Sequence, residues 1–475
     1  MPHRHATALL LGLLLAGCVT PSPSGSAQPT PTPSAADLAA PTTTPHPTST
    51  PSPTPIPTPA SAILPGHVNR SSLAVSATYD VSLDVVVASG DIDVTTVIVV
   101  RNDSGEPIDR LDLNTVAARL GAIRLGAVSV DGVAATAAID DQTIAVDLGG
   151  LLPAGATTTV RLAYTARLRR TLTGSDWLFS RVNGGLAMYR WIPWVSRAVP
   201  FDRPNHGDPF VTPSSPRVHL TVTTDRPMIL ASPGAAPVAD GLTWTFEVTD
   251  VRDVAIVLAP DLRVAEGTAG RTRIRVYTRP GGLSASKVLA QAQRAITRIG
   301  DRLGVPYPWS DFTVIQTEGA YGMESPGLIW IPKQTAAGNL AYLVHHETAH
   351  QWFYGLVGND QQSEPFADEA AADMVARTVL GLNRASRCPA AALDRAITRY
   401  SRLCYYEDIY IQGGLVLNQI RRTMGSDLFW ATIRDYLEAN RFGLAGTRQL
   451  LEALRAASPV SIRPILRARF PALYP

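Results

Sequence analysis

The sequence predicts an α+β multidomain chain, with an N-terminal antiparallel β domain followed by a mainly α-helical domain. Three observations carry this. From about Ala62 to Glu266 apolar residues alternate with polar ones at a period of two, the signature of half-buried strands. Near residue 284 the period changes to that of an amphipathic helix. Ahead of both runs lies a stretch too rich in Pro, Ser and Thr to bury a core. The 475 residues leave room for two or three domains of roughly 100–200 residues each. Forty-two Lys+Arg against 40 Asp+Glu give a net charge of +2, so no global field attracts nucleic acid, and no nucleic-acid partner is expected.

The chain opens with a short basic start at Arg4 and an apolar run from Ala8 to Ala16, the length of a secretory signal and too short to cross a bilayer. Its end, Leu15-Ala16-Gly17-Cys18, resembles the bacterial lipoprotein signal. Residues 1–17 then read as a signal peptide and Cys18 as the lipid-bearing anchor to the cell membrane, which places the protein outside the cytoplasm. An ordinary signal peptide with an incidental cysteine is the alternative. Residues 18–61 read as a tether: positions 21–60 hold 13 prolines, 15 Ser or Thr and one charge, Asp37. With Cys18 lipidated, Cys388 and Cys404 are left as a pair in a compartment that permits disulfides, and they are expected to bond.

Residues 62–266 form the β domain. Val160, Leu162 and Tyr164 alternate with polar neighbours, as do Val218, Leu220 and Val222, and Leu242, Trp244, Phe246 and Val248. Turn signals at Asn102-Asp-Ser-Gly105, Asp131-Gly132 and Pro153-Ala-Gly155 separate the strands. Residues 267–475 form the second domain. Val288, Leu289, Ala292, Ile296, Ile299 and Leu303 share one helical face, with Ser284 or Ser286 as cap and Gly304 as stop. A second helix is expected from Asn339 to Gly355. A third runs from Ser363 to Leu380, with Pro365 in its first turn and Gly381 beyond its end, and further helices follow from Gly413.

Within the second helix stands His346-Glu347-Thr348-Ala349-His350. Two histidines four apart project from one helical face and can reach one zinc ion, while Glu347 can act as general base on its water. Catalytic zinc needs a third protein ligand, and Glu364 and Glu369 are the near candidates. Asp373, one turn beyond Glu369, could accept a hydrogen bond from a zinc-bound histidine. His345, Trp352 and Phe353 read as structural.

His346 and His350 followed by Glu369 have the spacing of gluzincins of the aminopeptidase N family, and the resemblance continues in two further motifs. His350-Gln-Trp-Phe353 looks like the family's H-Q-W-F, and Gly322-Met323-Glu324 is similar to the core of its G-x-M-E-N motif. The resemblance implies a thermolysin-like catalytic domain behind the β domain, one zinc ion and Glu369 as third ligand. It further implies that Glu324, with Gly322 and Met323, binds the free α-amino group of a peptide. Tyr410, in Tyr410-Ile-Gln-Gly413, matches the tyrosine that stabilises the oxyanion, with Tyr405 and Tyr406 as competitors.

Ser325 stands where the motif has asparagine, Gln412 where a lysine usually follows the tyrosine, and Phe366-Ala-Asp-Glu369-Ala is a loose version of W-L-N-E-G. Larger members carry a long C-terminal helical domain, so the cleft here is expected to be more open. The function expected is a lipid-anchored, extracytoplasmic zinc aminopeptidase acting on peptides with free N-termini. An endopeptidase on the same site and a non-catalytic surface binding protein are the alternatives.

Overall fold

Alternating burial builds the first half of the structure, a computed structural model that describes residues 62–203 and 207–475. The signal peptide, Cys18 and the tether read from the sequence lie outside these residues. The largest sheet has eight strands, in the order Val238–Asp240, Thr243–Val248, Val218–Thr224, Val75–Val86, Asp91–Asn102, Thr157–Arg167, Arg124–Val130 and Val133–Ala134. Its pairs are antiparallel except one, since Val75–Val86 runs parallel to Val218–Thr224. Val160, Leu162, Tyr164, Val218, Leu220 and Val222 all point into the core, as their alternation requires. Leu242 does not: it sits in the turn before Thr243 and is exposed, while Trp244, Phe246 and Val248 are buried. Asp131 and Gly132 both take positive φ, 48° and 81°, the combination a two-residue hairpin needs to match strand twist.

Two four-stranded sheets complete the β region, one containing Phe179–Val182 and Gly185–Met188, the other Ile108–Asn114 and Thr143–Leu152. Asp109, on the Ile108–Asn114 strand, accepts backbone N–H bonds from Val68, Asn69 and Arg70 at 2.7, 2.8 and 2.7 Å. Burial pushes its carboxyl up, but the three donors outweigh burial and hold it below the usual Asp range. A depressed carboxylate contributes stability above the unfolded pKa and loses it as pH falls through the folded one. The melting temperature is therefore expected to fall below about pH 4, and less steeply in Asp109→Asn, whose baseline is lower. Parallel acid limbs in a melting series would refute the assignment.

A fourth sheet, of five strands, belongs to the second half, in the order Arg263–Ala269, Thr272–Thr278, Asp311–Thr317, Leu328–Pro332 and Met323–Ser325. The first of these strands spans position 267. The three inner strands are parallel neighbours, and Met323–Ser325 closes the sheet as an antiparallel edge. Against the sheet packs the Ala285–Leu303 helix, which buries Val288, Ala292, Ile296, Ile299 and Leu303 and ends at Gly304 with φ 66°. The Leu340–Ala349 helix stacks on it, followed by Ala371–Leu380, Gly413–Met424, Ser426–Ala439, Thr447–Ala457 and Arg463–Arg469.

The second helix stops earlier than the apolar pattern suggested. After Ala349 the backbone opens to i→i−5 bonds, Gly355 N to His350 O, Leu356 N to Gln351 O and Val357 N to Trp352 O. Tyr354 then turns the chain at φ 118°. Trp352 and Phe353 are core residues, with the Trp352 indole donating to Val305 O at 2.9 Å. No described helix is long and apolar enough to cross a membrane.

Candidate active site

The last turn of the Leu340–Ala349 helix brings His346 and His350 onto one face, their rings 4.8 Å apart. Glu369 arrives from a widened helical turn over Phe366–Ala370, an element common at functional sites. His346 Nε2 and His350 Nε2 are 3.3 Å apart, and Glu369 Oε2 lies 3.4 and 3.2 Å from them. Ligand atoms about 2.0–2.1 Å from a tetrahedral zinc ion stand about 3.3–3.4 Å from one another, so this triangle has the size zinc requires. Although burial favours the neutral acid, His350 and His346 hold the Glu369 carboxyl well below its usual range. His350 Nδ1 lies 3.1 Å from Phe353 O, and because a carbonyl only accepts, that nitrogen carries the proton and Nε2 keeps its lone pair for the ion.

Glu347 is buried beside the triangle. Its carboxylate lies against Gly322, where any Cβ would overlap it. Burial raises its pKa to about 7, with Glu369 and Asp208 adding to the rise and the two histidines opposing it. Glu324, on the Met323–Ser325 edge strand, is also buried, and burial, with Asp208 adding to it, pushes its carboxyl well above its usual range. Glu324, Glu347 and His350 offer donor atoms within 4.8 Å of one another, so the acid of the edge strand borders the metal triangle directly. Met323 is buried on the same strand.

The three candidate tyrosines separate. Tyr410, in a second widened turn over Tyr406–Gln412, stacks on His346 at 5.4 Å, and burial with the nearby Glu369 carboxylate pushes its hydroxyl's pKa well up. The Tyr406 hydroxyl is engaged by Tyr342 at 2.9 Å and by Arg377 at 3.0 Å. Tyr405 packs against Gly207, where a Cβ would strike its hydroxyl. All three line a cleft of about 340 Å³ together with the His346–His350–Glu369 donor triangle, Glu324, Glu347, Trp177 and two cations, Arg203 and Arg402.

Some residues act otherwise than their spacing suggested. Asp373 was expected beside a ligand histidine, but its carboxylate takes the Tyr342 hydroxyl and Arg377 Nε, the latter at 2.7 Å. The widened turn around Glu369 shifts the phase of the residues after it. Asp373 thus meets His346 only through Tyr342, whose ring stacks on that histidine. Glu364, the other near candidate for third ligand, accepts the Thr447 backbone N–H at 2.8 Å and so caps the Thr447–Ala457 helix. His345 is structural: Nδ1 bonds Ala341 O at 2.8 Å, and burial lowers its pKa to about 4.

The departures from the family pattern also have partners. Ser325 donates to Asp253 of the β region. Gln412 donates to Asp408 and to Pro389 O at 2.9 and 2.8 Å, which ties it to the loop closed by the Cys388–Cys404 disulfide. Asp208, Gln361 and Asp368 were missed by sequence reasoning. They lie on loops or in the widened turn, and no periodicity marks them; only the proximity of Asp368 to Glu369 was a signal.

No protein-family model matches the chain. Aminopeptidase M1-A of Oryza sativa subsp. japonica is 22% identical over 374 residues, 69% of this chain and 42% of its own length. The alanine/arginine aminopeptidase of Saccharomyces cerevisiae is 24% identical over 272 residues, 48% of this chain and 32% of its own length. The chain therefore spans less than half the length of these relatives. A mutant M1 zinc metallopeptidase from Deinococcus radiodurans has a similar structure, with a TM-score of 0.66 and 19% identity over 86% of this chain and 96% of that one. The same protein with a Tyr-Ser-Ala substrate bound matches with a TM-score of 0.65. This chain has the fold of the M1 zinc metallopeptidases, and its homologues are M1 aminopeptidases.

Proposed function

We propose that this protein is a zinc aminopeptidase that removes residues from the free N-termini of peptides, held outside the cytoplasm by a lipid on Cys18. The observation that carries the reading is the donor triangle of His346, His350 and Glu369, flanked by Glu347 and bordered by Glu324 on an edge strand. One zinc ion held there supplies Lewis-acid chemistry, activating water at neutral pH and polarising the scissile carbonyl.

The side chains do the rest. Glu347 takes a proton from the attacking water and later gives it to the leaving amine. The Tyr410 hydroxyl donates to the oxyanion. Glu324 holds the substrate's α-ammonium, which sets the scissile bond one residue from the N-terminus. The free edge of Met323–Ser325 offers main-chain groups to an extended peptide. The names of the relatives and the peptide bound to the Deinococcus radiodurans protein support a peptide substrate. The lipoprotein-like Leu15-Ala16-Gly17-Cys18 and the Cys388–Cys404 disulfide support the location; acyl mass on Cys18 in the mature protein tests it.

The test of the activity is cleavage of one peptide set with free and with acetylated N-termini by the zinc-loaded protein. Hydrolysis of the free set alone is expected. Cleavage of both sets would move the protein to an endopeptidase, and cleavage of neither, with zinc bound, to a binding protein.

A further inference from the structure

Behind Glu324 lies a buried polar network that joins the β region to the site. Gln361 is 3% exposed, and its amide nitrogen donates both to Glu324 Oε1 at 3.1 Å and to Asp368 Oδ2 at 2.9 Å. Its amide oxygen accepts from Arg190 Nη2 at 3.1 Å. A guanidinium only donates and a carboxylate only accepts, so Arg190 leaves the amide one orientation, with the NH₂ group facing both acids. Arg190 is itself immobile: 5% exposed, over the Phe210 ring at 4.0 Å and bonded to the hydroxyls of Tyr189 and Tyr354. Tyr354 in turn donates to Asp253, which also takes the Ser325 hydroxyl next to Glu324. Two non-glycine residues of this network, Arg190 and Tyr354, hold positive φ, 42° and 118°.

The chain of bonds has a definite end. Asp368 Oδ1 accepts the backbone N–H of Glu369 at 2.6 Å, so the same amide bridges the turn that carries the third ligand of the metal triangle and the acid of the edge strand. Glu324 is the middle residue of a three-residue edge strand, and its carboxylate is buried, so the groups that reach its oxygens set its orientation. With Oε1 held by Gln361, Oε2 is the oxygen left for a cation entering the cleft.

We propose that Gln361 is a positioning residue that aims Glu324 at the substrate's α-ammonium, its amide locked by Arg190 of the β region. The proposal rests on the aminopeptidase reading above. Its test uses the zinc-loaded full chain with Gln361→Met, which keeps the volume and loses both donors, Gln361→Glu, which turns an acceptor toward two acids, and Glu324→Gln. KM and kcat are read on a free-amine peptide, and free L-arginine and Nα-acetyl-L-arginine serve as competitive inhibitors.

In Gln361→Met, KM and the inhibition constant of free L-arginine are expected to rise together by about 10-fold, the loss of one hydrogen bond to a charged group. Zinc content, kcat to within a few-fold and the constant for the acetylated inhibitor are expected to hold. Gln361→Glu is expected to raise KM further. A merely structural role would weaken both inhibitors alike, and that result overturns the proposal. If Gln361→Met folds poorly, the ratio of the two inhibition constants in Gln361→Glu decides. Lost discrimination in Glu324→Gln with none lost in either Gln361 variant overturns the assignment of Gln361 alone. Discrimination intact in Glu324→Gln overturns the reading of Glu324 as amine anchor, and this proposal with it.

Discussion

Glu347→Gln is expected to lower kcat by about 10²–10⁴-fold, the usual worth of a general base, with KM little changed and zinc still bound. The donor triangle proposed to hold zinc is made by His346, His350 and Glu369 without Glu347, so metal analysis is expected to give the same content as the parent protein. The amide keeps the size of the carboxylate but cannot take a proton. It also removes one negative charge from a buried group that includes Glu369 and Asp208, both of which raise Glu347. The variant is therefore expected to melt no lower than the parent. Unchanged turnover would refute the role of Glu347, and loss of zinc would show that its carboxylate helps to hold the metal.

Gly322→Ala is expected to act on the same carboxylate from the other side. A Cβ at position 322 would overlap Glu347 Oε1, and the contact is with the functional oxygen itself. Either the acid or the 319–322 segment must move, and Gly319 also lies tightly, against the Trp177 indole. A displacement of about 1 Å at a proton-transferring group costs on the order of 10²-fold in rate. Because the substitution works through Glu347, adding it to Glu347→Gln is expected to cost little more, the non-additivity of two changes on one group. Full additivity in that double variant, measured in kcat, would place the role of Gly322 elsewhere, in substrate binding alone.

The architecture was largely legible in the linear pattern, because burial on one face imposes a period that the sequence displays. The Val160-Leu162-Tyr164 alternation and the Val288 to Leu303 stripe each marked an element that the structure contains. Gly304 and Gly381 marked helix ends through their positive φ of 66° and 68°. The two histidines were legible for the same reason, since an interval of four residues places side chains on one face of any α-helix. Patterns that combine several elements were less visible. Leu242 fits the alternation of its strand yet lies in a turn, and the Asn339–Gly355 apolar run continues past the helix that it begins.

Local spacing could name Glu347, His346 and His350 because the Leu340–Ala349 helix and its cap carry all three. It could not show that two helical turns, around Glu369 and Tyr410, would widen, and those turns decide which way the residues after them point. That is why Asp373 faces Arg377 instead of a ligand histidine. Nor could spacing reveal that Gln361, Asp368 and Arg190 converge behind Glu324, since 171 residues separate Arg190 from Gln361 in sequence and 37 separate Gln361 from Glu324. Periodicity records which face of an element is buried. Long-range hydrogen bonds between loops leave no period, so the partners of the buried acids were decided only where the β region and the helices pack together.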